Sequence, residues 1–307
     1  MEHCVQKWNI NEFHFEDDNM TINRDRLIEI CDEIIKRGLA IRWQTPNGIR
    51  ASRTDRLMLE KMKASGCMHI TLAPESGSER VLKEIIQKGN DFELDQLAKC
   101  GADANQIGLK VAAYFILGLP GETKLEAEET IQYAKRLAKN GVDEVAFSLF
   151  MPLPGTPLWE KVSQKLIDVD WLDLLSVGDL ARATSWNDNM SNEELHRLRK
   201  RAYLSFYLTR MIYHPLAFSK SILNVFKNIE ETKTERTLRQ FLQRLGIKKK
   251  RFSGGGDLNA YPYDATATLG VLFSGDANYA YRHSLLRAVR LVVRDFFKSD
   301  KFGKRKG

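Results

Sequence analysis

Apolar residues in the first half of the chain recur with two different periods. Short apolar runs, typical of strands, are each followed by a stretch in which apolar residues lie three and four positions apart, as on one face of a helix. Leu27, Cys31 and Ile34 show this helical spacing between a capping Asn23 and a closing Gly38. The pattern predicts five strands, at Glu12–Phe15, Leu39–Trp43, His69–Ala73, Lys110–Leu117 and Glu144–Phe150. It predicts further helices at Thr54–Met62, Glu79–Ile86, Glu93–Asn105 and Leu125–Lys139.

Strands that alternate with helices in this way predict a parallel sheet with right-handed crossovers. Ligands of such sheets bind beyond the carboxyl ends of the strands. Each predicted strand is followed directly by a polar or glycine-bearing segment, at Glu16–Asn19, Gln44–Gly48, Pro74–Ser78, Gly118–Thr123 and Pro152–Pro157. The sequence therefore predicts a small-molecule site at these strand ends.

The alternation stops after about residue 160. Residues 165–250 show the spacing of amphipathic helices, Ser253–Gly256 is a glycine joint, and a basic amphipathic helix is predicted over Tyr279–Phe297. That last helix has the composition of a membrane-surface helix, although packing on the barrel or on a partner is the more ordinary use. We therefore predict three parts, at 1–160, 161–252 and 253–307.

The net charge of +7 is unevenly distributed. Residues 1–190 hold 23 Lys and Arg against 30 Asp and Glu, whereas residues 191–307 hold 24 against 10. A basic third is compatible with nucleic acid or an anionic membrane, but a solvated helical surface is commoner, and the absence of an aromatic-basic motif disfavours RNA.

No apolar run is long enough to cross a membrane, and the N-terminus has no apolar signal core, which predicts a cytoplasmic protein. None of the four cysteines lies within three residues of another, so no zinc knuckle or CxxC redox motif is present. Reduced, buried thiols are the expectation in that compartment.

Acidic side chains at the strand ends leave more than one interpretation open. Glu16, Asp17, Asp18 and Glu75 could ligate Mg²⁺ or Mn²⁺ in a metal-dependent hydrolase. The first three could equally be a helix N-cap cluster. His14, between two phenylalanines, is expected to be a core or barrel-facing histidine rather than a metal ligand.

Taken in order, the strand-end segments resemble the core of the radical S-adenosylmethionine (SAM) enzymes, and most closely the branch that often carries a cobalamin-binding domain. The resemblance spans about residues 10–160. Each segment alone is a weak signal, but six in the same order and spacing are specific: FEDDN, WQTPNGIR, MKASGCMHITLAPESGSERVL, QKG, FILGLPGET and PLPGTPL. The fold implied is an incomplete parallel (β/α) barrel, about five βα units of a six-stranded partial TIM barrel, followed by a helical C-terminal region.

The resemblance also implies roles for individual residues. The acids Glu16, Asp17 and Asp18 would receive the amino group of SAM, and Lys88 its carboxylate. Other positions follow from the same comparison: Glu75 and Ser76 for the ribose, and Leu117 and Gly118 for the adenine. Asn47 and Arg50 lie near the second strand end and could meet substrate or SAM, although Asn47-Gly48 is also compatible with a simple turn.

The sequence departs from the family in one decisive respect. It has no CxxxCxxC, the motif whose three thiolates hold the 4Fe–4S cluster in the family. FHFEDD matches the second strand of the family's barrel, so the first strand, the cluster loop and the first helix are expected to be missing, together with any cobalamin domain.

We therefore expect a radical SAM-type protein, truncated or split, that cleaves SAM reductively only with a cluster-bearing N-terminal partner or domain. Methyl transfer and ring formation are both compatible, and the sequence does not identify the small-molecule substrate. Two alternatives stay open at this point: the metal-dependent hydrolase, and a non-radical module that binds SAM or a partner.

Overall fold

A computed structural model describes residues 1–89, 91–162 and 186–227, together with 229, 232, 234–236 and 239. Within it, five parallel strands form one open sheet in the order β1-β2-β3-β4-β5. The strands are β1 Glu12–His14, β2 Arg42–Ile49, β3 Cys67–Glu75, β4 Lys110–Leu117 and β5 Glu144–Leu149. The α/β fold class with five parallel strands is confirmed.

Helices connect the strands and follow the sheet. In chain order they are α1 Glu2–Trp8, α2 Arg24–Lys36, α3 Arg56–Ala64, α4 Leu94–Ile107, α5 Lys124–Lys139, α6 Pro157–Val162, α7 Asn192–Tyr213 and α8 Pro215–Lys227. A short 3₁₀ turn covers Ala51–Arg53 and a π-helical turn covers Val81–Ile85.

Side-chain caps explain where several helices begin. The Asn23 side chain accepts a hydrogen bond from the backbone of Arg26, as the sequence predicts for α2. Asp55 caps α3 in the same way, one residue outside the helix rather than in its first turn. At the start of α5, Thr123 and Glu126 form a capping box.

Alternate side chains of the strands point to opposite faces of the sheet, and the face toward the helices forms the core. Trp43, Leu72, Phe115 and Phe147 are almost completely buried. The rings of Phe115 and Phe147 stack with centroids 5.1 Å apart, which joins β4 to β5. Core packing therefore fixes the strands whose carboxyl ends carry the predicted site.

Two strands run further than the sequence indicates. β2 continues through Gln44–Gly48, the segment predicted to be a loop, and β3 begins at Cys67 and ends at Glu75. Register shifts interrupt β2–β3 pairing between Trp43 and Gln44 and again between Thr45 and Ile49. Such bulges accommodate the turn-forming residues inside a strand, which is why the periodicity alone missed them.

The structure also contains a helix before the first strand. This helix, α1, was not predicted from the sequence. Arg37, directly after α2, donates to Glu2 of α1 at 2.9 Å, and the partly buried Met1 and Val5 pack against the core.

The C-terminal half is described only in part. The described residues up to Phe218 belong to one compact unit, and those from Ser219 onward to a second. α7 and α8 confirm a helical region after the sheet. The glycine joint and the helix predicted over Tyr279–Phe297 lie outside the described residues, and the predicted three-part division stays a prediction. None of the described helices is long and apolar enough to span a membrane.

Candidate functional site

The predicted site residues lie near or beyond the carboxyl ends of neighbouring parallel strands, so their backbone positions share one end of the sheet. At the end of β1, Glu16, Asp17 and Asp18 are exposed. The side chain of Asn47 in β2 donates to the backbone carbonyl of Glu16 at 3.0 Å. The structure therefore joins the acidic segment to the second strand, while neither Asp17 nor Asp18 forms a side-chain ion pair with any described residue.

Glu75 and Lys88 are brought together at the end of β3. The Nζ atom of Lys88 lies 2.6 Å from Oε1 of Glu75 and donates to the carbonyl of Ala73 at 3.2 Å. It also lies 4.9 Å from the centre of the Phe92 ring. The predicted carboxylate-binding cation is thus present at the strand end, and its partner in this structure is another predicted site residue.

The backbone around this pair is strained. Glu75 has φ +64° and Gln87, directly before Lys88, has φ +58°. These left-handed values are uncommon for residues other than glycine, asparagine and aspartate, and they cost free energy. Strain of this kind occurs at functional sites, where the surrounding structure holds it in place.

Ser76, predicted to bind the ribose, is completely buried. Its Oγ atom lies 3.1 Å from Oγ1 of Thr130 in α5 and accepts from the backbone of Ser78 at 3.1 Å. The backbone of Gly77 also donates to Thr130, at 2.9 Å. In this conformation Ser76 anchors the strand end to α5, and a ribose contact would require its hydroxyl to leave that network.

Arg50, predicted to meet substrate, is paired within the site. Its Nη2 atom donates to Oδ1 of Asp91 at 2.5 Å, and Ser52 donates to the other oxygen at 3.3 Å. The hydrogen bond from Arg50 lowers the pKa of Asp91. Asp91 was not predicted, and it ties the loop that carries Lys88 to the end of β2.

Leu117 is the last residue of β4 as predicted, it is fully buried, and Gly118 follows it directly. The backbone N–H groups of Gly118 and Leu119 both donate to Oε2 of Glu122, at 2.6 and 3.2 Å. Burial raises the pKa of Glu122 to about 7. Sequence analysis missed Glu122 because its segment has the composition of an ordinary turn.

A second unpredicted pair lies near the opposite ends of the strands. Nε2 of His69 is 3.1 Å from Oε1 of Glu144, and both side chains are buried. β4 lies between the two strands that carry this pair. Its residue Ala112 is in register with Thr71 of β3 and with Glu144 of β5, and it carries only a methyl group. His69 and Glu144 are 75 positions apart in the sequence, so no local sequence pattern indicates that they pair.

The cysteines do not fit an iron–sulfur cluster. Three converging, deprotonated thiols are required, but Cys31, Cys67 and Cys100 are buried and burial raises the pKa of each thiol, for Cys100 to about 12. Cys4, the fourth, is half-buried. Among the residues that the structure describes, no group of three or more His, Cys, Asp or Glu side chains could hold a metal ion.

Comparison with known families agrees with the family resemblance of the sequence. Residues 1–134 match the Radical SAM superfamily. The chain contains a radical SAM domain.

Relatives of this chain include methyltransferases and a cyclase. An uncharacterized methyltransferase of Pyrococcus horikoshii is 32% identical over 66% of this chain, and cytidylyl-2-hydroxyethylphosphonate methyltransferase of Streptomyces wedmorensis is 32% identical over 53%. The anaerobic magnesium-protoporphyrin IX monomethyl ester cyclase of Cereibacter sphaeroides is 25% identical over 70%. The chain spans 42%, 30% and 34% of these three relatives, respectively, so each is more than twice the length that it matches.

A similar solved structure is that of the radical SAM methyltransferase TsrM from Kitasatospora setae, with cobalamin and a 4Fe–4S cluster bound. The two chains share 18% identity with a TM-score of 0.46, over 55% of this chain and 33% of TsrM.

Proposed function

We propose that this chain binds SAM at the carboxyl ends of β1–β4 and contributes that site to radical chemistry of the methyl-transfer or ring-forming class. The observation that carries the proposal is Lys88, a cation held at the end of β3 between Glu75 and the ring of Phe92. The radical SAM domain match over residues 1–134 gives this cation its proposed ligand, the carboxylate of SAM.

The other predicted contacts stay part of the proposal. Glu16, Asp17 and Asp18 would receive the amino group, Glu75 the ribose, and the backbone at Leu117 and Gly118 the adenine. The exposed acids of the first strand end are available for a ligand. Asn47 and Arg50 would act by positioning neighbouring segments, since the first binds Glu16 and the second Asp91.

A cluster-bearing segment must supply what the cysteines of this chain do not. In the radical SAM family a 4Fe–4S cluster provides the electron that cleaves SAM, and no arrangement of Cys4, Cys31, Cys67 and Cys100 in this structure holds one. We therefore propose that a CxxxCxxC-bearing domain or partner completes the site, acting on a small-molecule substrate. A cobalamin domain would belong to that same additional part.

The four free thiols also support a reducing compartment, and we propose the cytoplasm. The hydrolase alternative gains no support from the described residues, because none of their acidic clusters forms a metal site.

Calorimetric titration of the full chain with SAM tests the proposal. We expect binding that Lys88→Gln weakens about tenfold, the loss typical of a charge-assisted hydrogen bond, and that Lys83→Gln leaves unchanged. Lys83 is the matched control because it forms an exposed ion pair with Glu79 in the turn that precedes Lys88. Absence of SAM binding, or equal effects of the two substitutions, would overturn the proposal.

Iron–sulfur reconstitution tests the cluster separately. We expect no cluster absorbance from this chain alone, and cluster formation with SAM cleavage once a CxxxCxxC-bearing segment is added. Metal-dependent hydrolysis by the chain alone would favour the hydrolase instead.

A further inference from the structure

Lys88 already has a carboxylate partner in this structure, and that partner is Glu75. We propose that the Glu75 side chain occupies, on Lys88, the place of the ligand's carboxylate, and that a carboxylate-bearing ligand binds by exchanging with it. The inference rests on the proposed function, because it takes Lys88 as the carboxylate-binding cation. It adds that Glu75 controls how strongly the site favours ligands that carry this group.

The geometry of Lys88 permits such an exchange. A lysine ammonium has three N–H donors, and its described hydrogen-bonding partners are Glu75 and the carbonyl of Ala73, at 2.6 and 3.2 Å. The carbonyl and the Phe92 ring hold the ammonium in place whichever carboxylate it meets. Because the side chains of Lys88 and Glu75 are 22% and 27% exposed, the pair is also within reach of a dissolved ligand.

Charge and hydrogen bonding balance in the exchange. A ligand carboxylate that replaces the carboxylate of Glu75 gives Lys88 the same charge-assisted bond, so the cation is not left unpaired. Glu75 is then free to turn toward solvent or toward the ribose. The net cost to the ligand is the free energy of the Lys88–Glu75 pair that it breaks.

The backbone of Glu75 is fixed on one side, so the exchange involves its side chain. Ser76 and Gly77, the next two residues, are both joined to Thr130 of α5. The left-handed φ of +64° at Glu75 is held by this anchor. Strain that is maintained at the end of a strand, beside a predicted ligand group, is an independent sign of a functional position.

Two ligands separate the effect of the amino acid group from the contacts made by the adenosine. S-adenosylhomocysteine carries the amino acid group, whereas 5′-methylthioadenosine shares its thioether and adenosine but lacks the amino and carboxylate groups. Only the first must displace Glu75 from Lys88. The ratio of their two Kd values is therefore the measurement, because adenosine contacts that do not involve Glu75 are common to both ligands and cancel.

We expect Glu75→Gln to shift this ratio about three- to fivefold in favour of S-adenosylhomocysteine, the range for a partly exposed ion pair. Lys88→Gln should shift the ratio in the opposite direction. Glu79→Gln is the matched control and should leave the ratio unchanged, since it breaks only the exposed pair that Glu79 forms with Lys83 at 2.8 Å.

The outcomes distinguish the two proposals. If both ligands bind and Glu75→Gln leaves their ratio unchanged, or shifts it against S-adenosylhomocysteine, the exchange is wrong while the SAM site stands. If neither ligand nor SAM binds the wild-type chain, the proposed function fails and the exchange fails with it.

Discussion

Glu122 accepts a 2.6 Å hydrogen bond from the backbone N–H of Gly118, which turns the end of β4 toward α5. Leu119 donates to the same carboxylate oxygen at 3.2 Å. The other oxygen, Oε1, is buried and has no hydrogen-bond partner among the residues that the structure describes. Burial raises the pKa of Glu122 to about 7 because the charged carboxylate is poorly solvated there, even though the two N–H donors oppose the shift.

This raised pKa predicts a stability that falls as pH rises. The folded protein binds the proton of Glu122 more tightly than the unfolded chain, whose carboxyl titrates near 4.5. Stability from this group is therefore fully present below about pH 4.5, is lost as pH rises through 7, and amounts to about 3 kcal/mol. Glu122→Gln removes that dependence.

Urea denaturation at pH 5 and pH 8 measures the effect. We expect the free energy of unfolding of Glu122→Gln, relative to wild type, to rise by up to about 3 kcal/mol between the two pH values. If the free energies of unfolding of Glu122→Gln and wild type differ by the same amount at both pH values, the pKa of Glu122 is not raised.

Gly77 allows the end of β3 to approach α5. A β carbon there would lie 2.6 Å from the carbonyl oxygen of Glu129 and 2.7 Å from Cα of Thr130, so backbone has to move. We expect Gly77→Ala to destabilise the fold by about 1–3 kcal/mol and to weaken SAM binding by displacing Glu75.

Gly38→Ala is the control for Gly77. Its φ of +60° makes alanine strained, at about 1 kcal/mol, but no atom lies within 4 Å of the added carbon. Thermal unfolding and SAM titration should show lost stability for both variants and lost binding for Gly77→Ala alone. Unchanged SAM binding in Gly77→Ala would show that the contacts of Ser76 and Gly77 with Thr130 do not position the SAM site.

How much of this fold the sequence predicts depends on the burial of each strand. β4 was predicted at Lys110–Leu117, the bounds it has, because a strand buried on both faces is apolar along most of its length. The strand predicted at Leu39–Trp43 ends before the observed β2 does, because Pro46, Asn47 and Gly48 are typical turn residues. They lie within the strand because its register shifts there, and a shift in register follows from the neighbouring strand rather than from local sequence.

In the site, too, local sequence predicts some features and not others. Glu75 and Lys88 were each predicted from motif position, but their pairing depends on left-handed backbone at Glu75 and Gln87, which no periodicity reveals. Asp91 and Glu122 were missed because each has a polar, turn-like neighbourhood. Their roles come from contacts with Arg50 and Gly118 in the folded chain.

Two substitutions at Glu75 measure the strain of its backbone. Glu75→Ala and Glu75→Gly both remove the carboxylate and its pair with Lys88, but only glycine adopts a φ of +64° without a steric penalty. We expect the glycine variant to be more stable than the alanine variant by about 1 kcal/mol, after the greater entropy of glycine in the unfolded chain offsets part of the gain. Chemical denaturation compares them, and greater stability of the alanine variant would show that the position is unstrained.

Arg210 and Asp143 form a buried ion pair that holds α7 against the start of β5. Nη2 of Arg210 donates to Oδ1 of Asp143 at 2.8 Å, and the two side chains are 4% and 2% exposed. Lys110 contacts the same oxygen at 3.0 Å, while the backbone of Val111 donates to Oδ2. Nη1 of Arg210 also donates to the carbonyl of Val142 at 2.8 Å.

Breaking this pair should destabilise the protein strongly. Arg210→Met retains much of the side chain's apolar length but leaves a buried carboxylate with fewer partners, and we expect a loss of about 3 kcal/mol, the low end for such pairs because Lys110 remains. Arg201→Met is the control on the same helix. Its pair with Glu128 is exposed, so its loss should cost less than about 1 kcal/mol. If urea denaturation shows that both variants lose the same free energy of unfolding, the burial of Asp143 does not determine the loss. The loss would then come from the packing of the arginine side-chain stems.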